Sequence, residues 1–147
     1  CLLEGINVSV GRGTALPFEL CGAPWIDGAD LAEKLNQLKL RGVRFRPLRF
    51  QPTASQYAGE LCGGVQVHLT NRQAALPLRV GLELIGALRA LYPQPFKWNA
   101  RFFDLLCGSA ETRAAIEAQQ PARDIYAAWQ AAAADFRCER ERFLLYE

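Results

Sequence analysis

Residues 4–14, Glu4-Gly5-Ile6-Asn7-Val8-Ser9-Val10-Gly11-Arg12-Gly13-Thr14, constrain this chain more than any other stretch. Glu4, Asn7 and Ser9 are set among Leu2, Leu3, Val8 and Val10, and Pro17-Phe18 closes the segment. A purely structural strand would carry Val, Ile or Thr at the polar positions, and a loose loop would not carry the aliphatic ones. The pattern predicts a strand feeding a tight turn that presents a carboxylate, an amide, a hydroxyl and a guanidinium. Gly11 and Gly13 permit positive φ and leave backbone N–H groups open to a ligand. Successive N–H groups in such a turn form an anion-binding concavity. Arg12 between them adds a planar fork matched to a carboxylate or phosphate. No Gly-Lys-Ser/Thr follows, so the turn is not a P-loop, and no G-x-G-x-x-G is present. The competing reading is a glycine turn whose Arg12 pairs with a neighbouring element.

With 147 residues, half of them apolar and 22% charged, the chain has the composition of one ordinary domain, 1–147. A formal charge of +2, with the arginines scattered rather than striped, argues against a nucleic-acid partner. No apolar run approaches the ~18 residues that span a bilayer. There is no basic segment followed by an apolar one at the start, as a signal peptide requires. The chain begins at Cys1 in what reads as mid-strand, so a piece of a longer protein is expected. Cys1, Cys21, Cys62, Cys107 and Cys138 are odd in number and form no C-x-x-C, which argues against a metal site. Most are expected to be buried small hydrophobes, and no cofactor is implied. His68 is the only histidine, without a second His or Cys nearby to make a metal site or a catalytic dyad.

Gly22 and Pro24 predict a loop around Trp25, which is either a core anchor or a platform for a sugar face. Asp27 or Asp30 caps a helix carrying Leu31, Leu35 and Leu38, with Gly42 as the residue past its end. Val43–Phe50 alternates as a strand, with Pro47 marking an edge or a bulge. Residues 51–60 read as a polar loop holding Tyr57. A strand over 65–70 places Val65, Val67 and Leu69 on the core face and Gln66, His68 and Thr70 on the other. Helices follow: one from Pro77 with Leu78, Leu82, Ile85 and Leu88 on one face, short ones over 102–106 and 110–118, and a last one over 124–144. Ile125, Trp129, Ala132, Phe136 and Phe143 make the last helix's buried stripe. The fold class is α+β, with a small mixed or antiparallel sheet from the N-terminal half covered by helices from the C-terminal half.

The 4–14 motif, Pro17-Phe18 and Gly22-Ala23-Pro24-Trp25 together resemble the opening of the C-terminal domain of NamZ-type exo-β-N-acetylmuramidases. Gly42-Val43-Arg44-Phe45, Pro52-Thr53-x-Ser55-x-Tyr57-Ala58-Gly59, Cys62-Gly63-Gly64-Val65-Gln66, Leu91-Tyr92-Pro93 and Phe103-Asp104-Leu105-Leu106-x-Gly108 extend the match over essentially the whole chain. The resemblance implies a part of a hydrolase that releases terminal N-acetylmuramic acid from peptidoglycan fragments. It also implies a Rossmann-like domain before this one that supplies the main catalytic carboxylate. The substrate implies a place outside the cytoplasm, periplasmic or secreted, with cytoplasmic recycling as the alternative. The chain departs from the family pattern at Ile6, where Thr is usual, and at Asn71, where Asp is common; Ile6 implies one hydrogen bond fewer to the sugar.

N-acetylmuramic acid carries a 3-O-lactyl carboxylate, for which Gly11-Arg12-Gly13 with Thr14 is a fitting receptor. Asn7, Ser9, Tyr57 and Gln66 are candidates for its hydroxyl and acetamido groups, and Trp25 or Tyr57 for stacking on its ring. Glu4 is the motif's one carboxylate. It is either catalytic, with its partner carboxylate on the missing domain, or structural, holding Arg12 in place. Two other readings compete: a non-catalytic carbohydrate-binding or protein-interaction module, and a bare scaffold in which the motif is a salt-bridged core.

Overall fold

The computed structural model describes residues 1–146. It is α+β: a three-stranded antiparallel sheet and five α-helices. The strands are β1 (Leu20–Ala23), β2 (Val43–Phe50) and β3 (Cys62–Leu69), in the order β1-β3-β2. The helices are α1 (Gly28–Gln37), α2 (Pro77–Leu91), α3 (Ala100–Cys107), α4 (Glu111–Glu117) and α5 (Ala122–Arg140).

The helix ends follow local chemistry. Asp27 Oδ1 accepts from the N–H groups of Ala29 at 2.8 Å and Asp30 at 3.2 Å, capping α1. That helix stops sooner than expected: Lys39, at φ 50, takes the left-handed place past its end, and Gly42 instead turns the chain into β2. Pro77 sits in the first turn of α2, where its missing N–H costs nothing. Gly108, at φ 78, closes α3. The Ser109 hydroxyl accepts from Glu111 N–H at 3.2 Å, ahead of α4.

One face of the sheet carries Cys21, Ala23, Val43, Phe45 and Val65, all buried. It packs with α1 and α2 around Leu31, Leu35, Leu82, Leu84, Ile85 and Leu88, each at most 1% exposed. The opposite face is covered at one end by loops, not helices. There Leu20, Phe50 and Cys62 make a second small core with Leu16 and Tyr57.

Four local expectations are corrected. Residues 2–5 form a 3₁₀ turn, not a strand, and the segment joins its neighbours through single bridges, Ile6 to Trp98 and Ser9 to Gly22. Gly5 forces the close approach behind this: a Cβ there would lie 2.6 Å from the Phe103 Cβ. Residues 20–23 form a strand where a loop was expected, because Gly22 lets Phe50 and the Gly63 carbonyl come against the backbone. Leu69 is exposed because the core ends before it, whereas Gln66 on the other face is buried at 6%. Of the stripe expected on the last helix, Ile125 is buried and Trp129 half-buried; Ala132 and Phe136 of α5 face solvent, as does Phe143, which lies past its end. Pro47 lies on an edge strand without a bulge, since the pairing with β3 runs unbroken through Pro47↔Val65.

Candidate functional site

The 9–18 segment is a turn held by its own polar atoms. Gly11 and Gly13 take φ 77 and 76. The Ser9 hydroxyl, buried, accepts from Gly11 N–H at 3.3 Å. The Thr14 hydroxyl donates to the Gly11 carbonyl at 2.7 Å and accepts from Leu16 N–H at 3.1 Å. Thr53, from the 51–60 loop, donates to the Gly13 carbonyl twice, from its N–H at 3.1 Å and its hydroxyl at 2.8 Å. Any Cβ on Gly13 would meet the Ala54 nitrogen at 2.4 Å. The two loops are therefore locked backbone to backbone, and Arg12 stands at the tip.

Arg12 is held on two sides. One guanidinium nitrogen donates to Glu4 Oε1 at 2.7 Å, and the guanidinium carbon lies 4.8 Å above the centre of the Phe18 ring. The Arg12 side chain is 48% exposed and that of Glu4 22%, so the pair is not a sealed core. An exposed ion pair contributes about 0–1 kcal/mol and an exposed cation–π contact about 0.5–1 kcal/mol. Both orient the fork without tying it down. Among the described residues Arg12 spends one of its five donors on a protein acceptor. Phe18, 55% exposed at φ 66, is a non-glycine residue in the left-handed region, which costs on the order of 1–3 kcal/mol.

Asn7 faces the other way. Its Nδ2 donates to the Pro95 carbonyl at 2.8 Å, and its Oδ1 accepts from Lys97 N–H at 2.7 Å. Its backbone N–H donates to the Lys97 carbonyl at 3.1 Å. The amide clamps the 95–98 loop to the motif. The Asn7 carbonyl accepts from the Tyr57 hydroxyl at 3.1 Å, which accepts in turn from Trp25 Nε1–H at 3.1 Å. Trp25 also packs edge-to-face on Tyr92 at 5.5 Å. Gln66 stands apart on β3, where its Oε1 accepts from Arg46 at 2.8 Å and its Nε2 donates to Glu19 at 3.2 Å.

The structure thus brings Glu4 and Arg12 together, joins Asn7, Tyr57 and Trp25 in one relay, and gives Ser9, Gly13 and Thr14 to the turn itself. Ile6 is 2% exposed and points into the core. Phe18, Thr53 and the 95–98 loop were not among the predicted site residues. Spacing alone could not show that the ring of Phe18 folds back under Arg12. A cavity of about 910 Å³ lies elsewhere, lined by Leu38, Leu82, Arg89, Trp98, Ile116 and Ile125. The thiols of Cys21 and Cys62 are pushed up to about 12 and about 11 by burial. Two cysteines, not most of them, are fully buried; Cys107 is half-buried and Cys1 and Cys138 are exposed.

With the motif's geometry in hand, comparison with known proteins is direct. The family described as exo-beta-N-acetylmuramidase NamZ, C-terminal, matches residues 1–146. The chain belongs to the NamZ C-terminal family. It is 40% identical over 146 residues to the peptidoglycan beta-N-acetylmuramidase NamZ of Bacillus subtilis, covering 99% of this chain and 35% of that protein. It therefore spans about a third of that relative. A crystal structure of a DUF1343 family protein from Bacteroides fragilis matches with a TM-score of 0.82 at 31% identity, covering 96% of this chain and 38% of that one. A second from the same organism gives 0.68 at 28% identity, covering all of this chain and 38% of the other.

Proposed function

We propose that this NamZ-family chain is the C-terminal, substrate-cleft domain of an exo-acting β-N-acetylmuramidase that releases terminal N-acetylmuramic acid from peptidoglycan fragments. The observation that carries the reading is the half-exposed Arg12 fork, raised on a rigid glycine turn and oriented but not consumed by Glu4 and Phe18. A lactyl carboxylate is the part of N-acetylmuramic acid that such a fork distinguishes from N-acetylglucosamine. Thr14, Ser9 and Gly13 shape the receptor, and Asn7, Tyr57 and Trp25 set the wall beside it. Glycoside cleavage calls for two carboxylates across the scissile bond. Glu4 is the motif's single carboxylate, and the family resemblance assigns the main catalytic carboxylate to a Rossmann-like domain of the same protein. On this reading the protein works outside the cytoplasm, periplasmic or secreted, with recycling in the cytoplasm as the alternative.

The test is Arg12→Ala in the full-length protein. A hydrogen-bonded charge contact contributes about 1.5–3 kcal/mol, so KM for muramic acid release should rise roughly 10–100-fold. Unchanged release would sink the reading. The 2.7 Å contact to Arg12 favours a positioning role for Glu4 over a catalytic one. Glu4→Gln should then raise KM several-fold and leave the pH profile of kcat in place; a lost limb of that profile would make Glu4 an acid or base.

A further inference from the structure

From Lys34 to Gly59 the sequence has no Asp or Glu, but it has Lys34, Lys39, Arg41, Arg44, Arg46 and Arg49. The fold gathers what looked scattered in the sequence. Arg44 and Arg46 project from the same face of edge strand β2, opposite His68 and Gln66 of β3. This is the loop-covered face of the sheet, at its uncovered end. Both arginines are exposed, and among the described residues neither is in an ion pair.

The strip is continuous with the site. Arg46 donates to Gln66, Gln66 donates to Glu19, and Glu19 follows Phe18, whose ring lies under Arg12. That path crosses from β1 to β2, two strand spacings or roughly 10 Å. Edge arginines also discourage sheet-to-sheet pairing, but Pro47 already blunts this edge. A protective role also does not require a polar line leading back to Arg12.

We propose that Arg46 and Arg44 form a remote subsite for a second carboxylate of the same glycan. The ligand is a peptide-free glycan in which muramic acid recurs, so that its lactyl carboxylates repeat along the chain. Arg12 takes the terminal carboxylate and the β2 pair takes the next. This rests on the functional reading above.

The experiment uses the full-length protein and three peptide-free substrates. These are a disaccharide with one terminal muramic acid, a tetrasaccharide with two, and that tetrasaccharide with its inner lactyl carboxylate methyl-esterified. In the unaltered protein, KM should be lower for the tetrasaccharide than for the disaccharide, and esterification should abolish the difference. Arg44→Gln/Arg46→Gln should raise the KM ratio of tetrasaccharide to disaccharide about tenfold. Added salt should shrink the advantage, since exposed charges are screened. Equal KM for free and esterified tetrasaccharide, or an unaltered ratio in the double variant, would overturn the subsite while leaving the functional reading intact. No release from any of the three would remove the functional reading, and the subsite with it.

Discussion

At the residue scale, the site sets strain against weak contacts. Phe18 sits at φ 66, and its cation–π contact of about 0.5–1 kcal/mol does not offset a cost on the order of 1–3 kcal/mol. Phe18→Gly should therefore not lower Tm, yet it should raise KM several-fold by freeing the Arg12 fork. A fall in Tm of several degrees would instead make Phe18 a packing residue. Gly13 behaves in the opposite way. A Cβ there meets the Ala54 nitrogen at 2.4 Å in a backbone with φ 76, so Gly13→Ala should destabilise the protein by about 1–3 kcal/mol, read as a lower midpoint in urea. These residues also show what was legible in the sequence. The glycines, Arg12 and Glu4 announce themselves by type and spacing. Asn7 and Gln66 stand out by type as well, but their roles do not, because their partners, Lys97 and Arg46, are remote in sequence and nothing local predicts them.

At the element scale, α1, α2 and β2 were legible because their apolar periods agree with where they sit, although Leu38 and Leu78, at the ends of the expected helix stripes, are exposed. Strand β1 was not: four residues with a glycine among them, held by pairing to β3, carry almost no local signal. The stripe on α5 has helical spacing, but period alone does not say that a partner surface lies opposite. The α3–α4 junction gives a further expectation. Arg113 holds Asp104 through two contacts, each 2.9 Å, and its hydrogen bonds keep the Asp104 carboxyl below its ordinary range. A depressed carboxyl adds stability above its unfolded pKa of about 3.9, and that stability fades as pH falls through the folded value. Amide protection in α3 and α4, measured relative to the intrinsic exchange rate at each pH, should therefore fall below about pH 4, and Arg113→Ala should flatten that acid response. An identical response in the variant would remove Asp104 as its source.

At the scale of the whole molecule, the thiols report the integrity of both cores. Cys21 belongs to the main core and Cys62 to the small one, each 0% exposed. A thiol-specific reagent should label Cys1 and Cys138 at once, and Cys21 and Cys62 only as the chain opens. If Cys62 labels well before Cys21, the loop-covered face opens on its own, and the anion-receptor turn opens with it. The net charge of +2 gave no hint of the cationic strip, because acids elsewhere balance it and only the sheet register brings Arg44 and Arg46 to one face.

The Asn7 clamp has a consequence for how the site comes into being. Its hydrogen bonds join residues 88 and 90 positions apart, so the Asn7 side chain has no partner until the 95–98 loop exists. Closing so long a loop carries an entropy cost that local turns do not, and such contacts form late. During synthesis the Asn7 clamp is therefore latent. A chain cut short before residue 95 would hold every residue of the motif and still leave the Asn7 amide without the contacts that fix it.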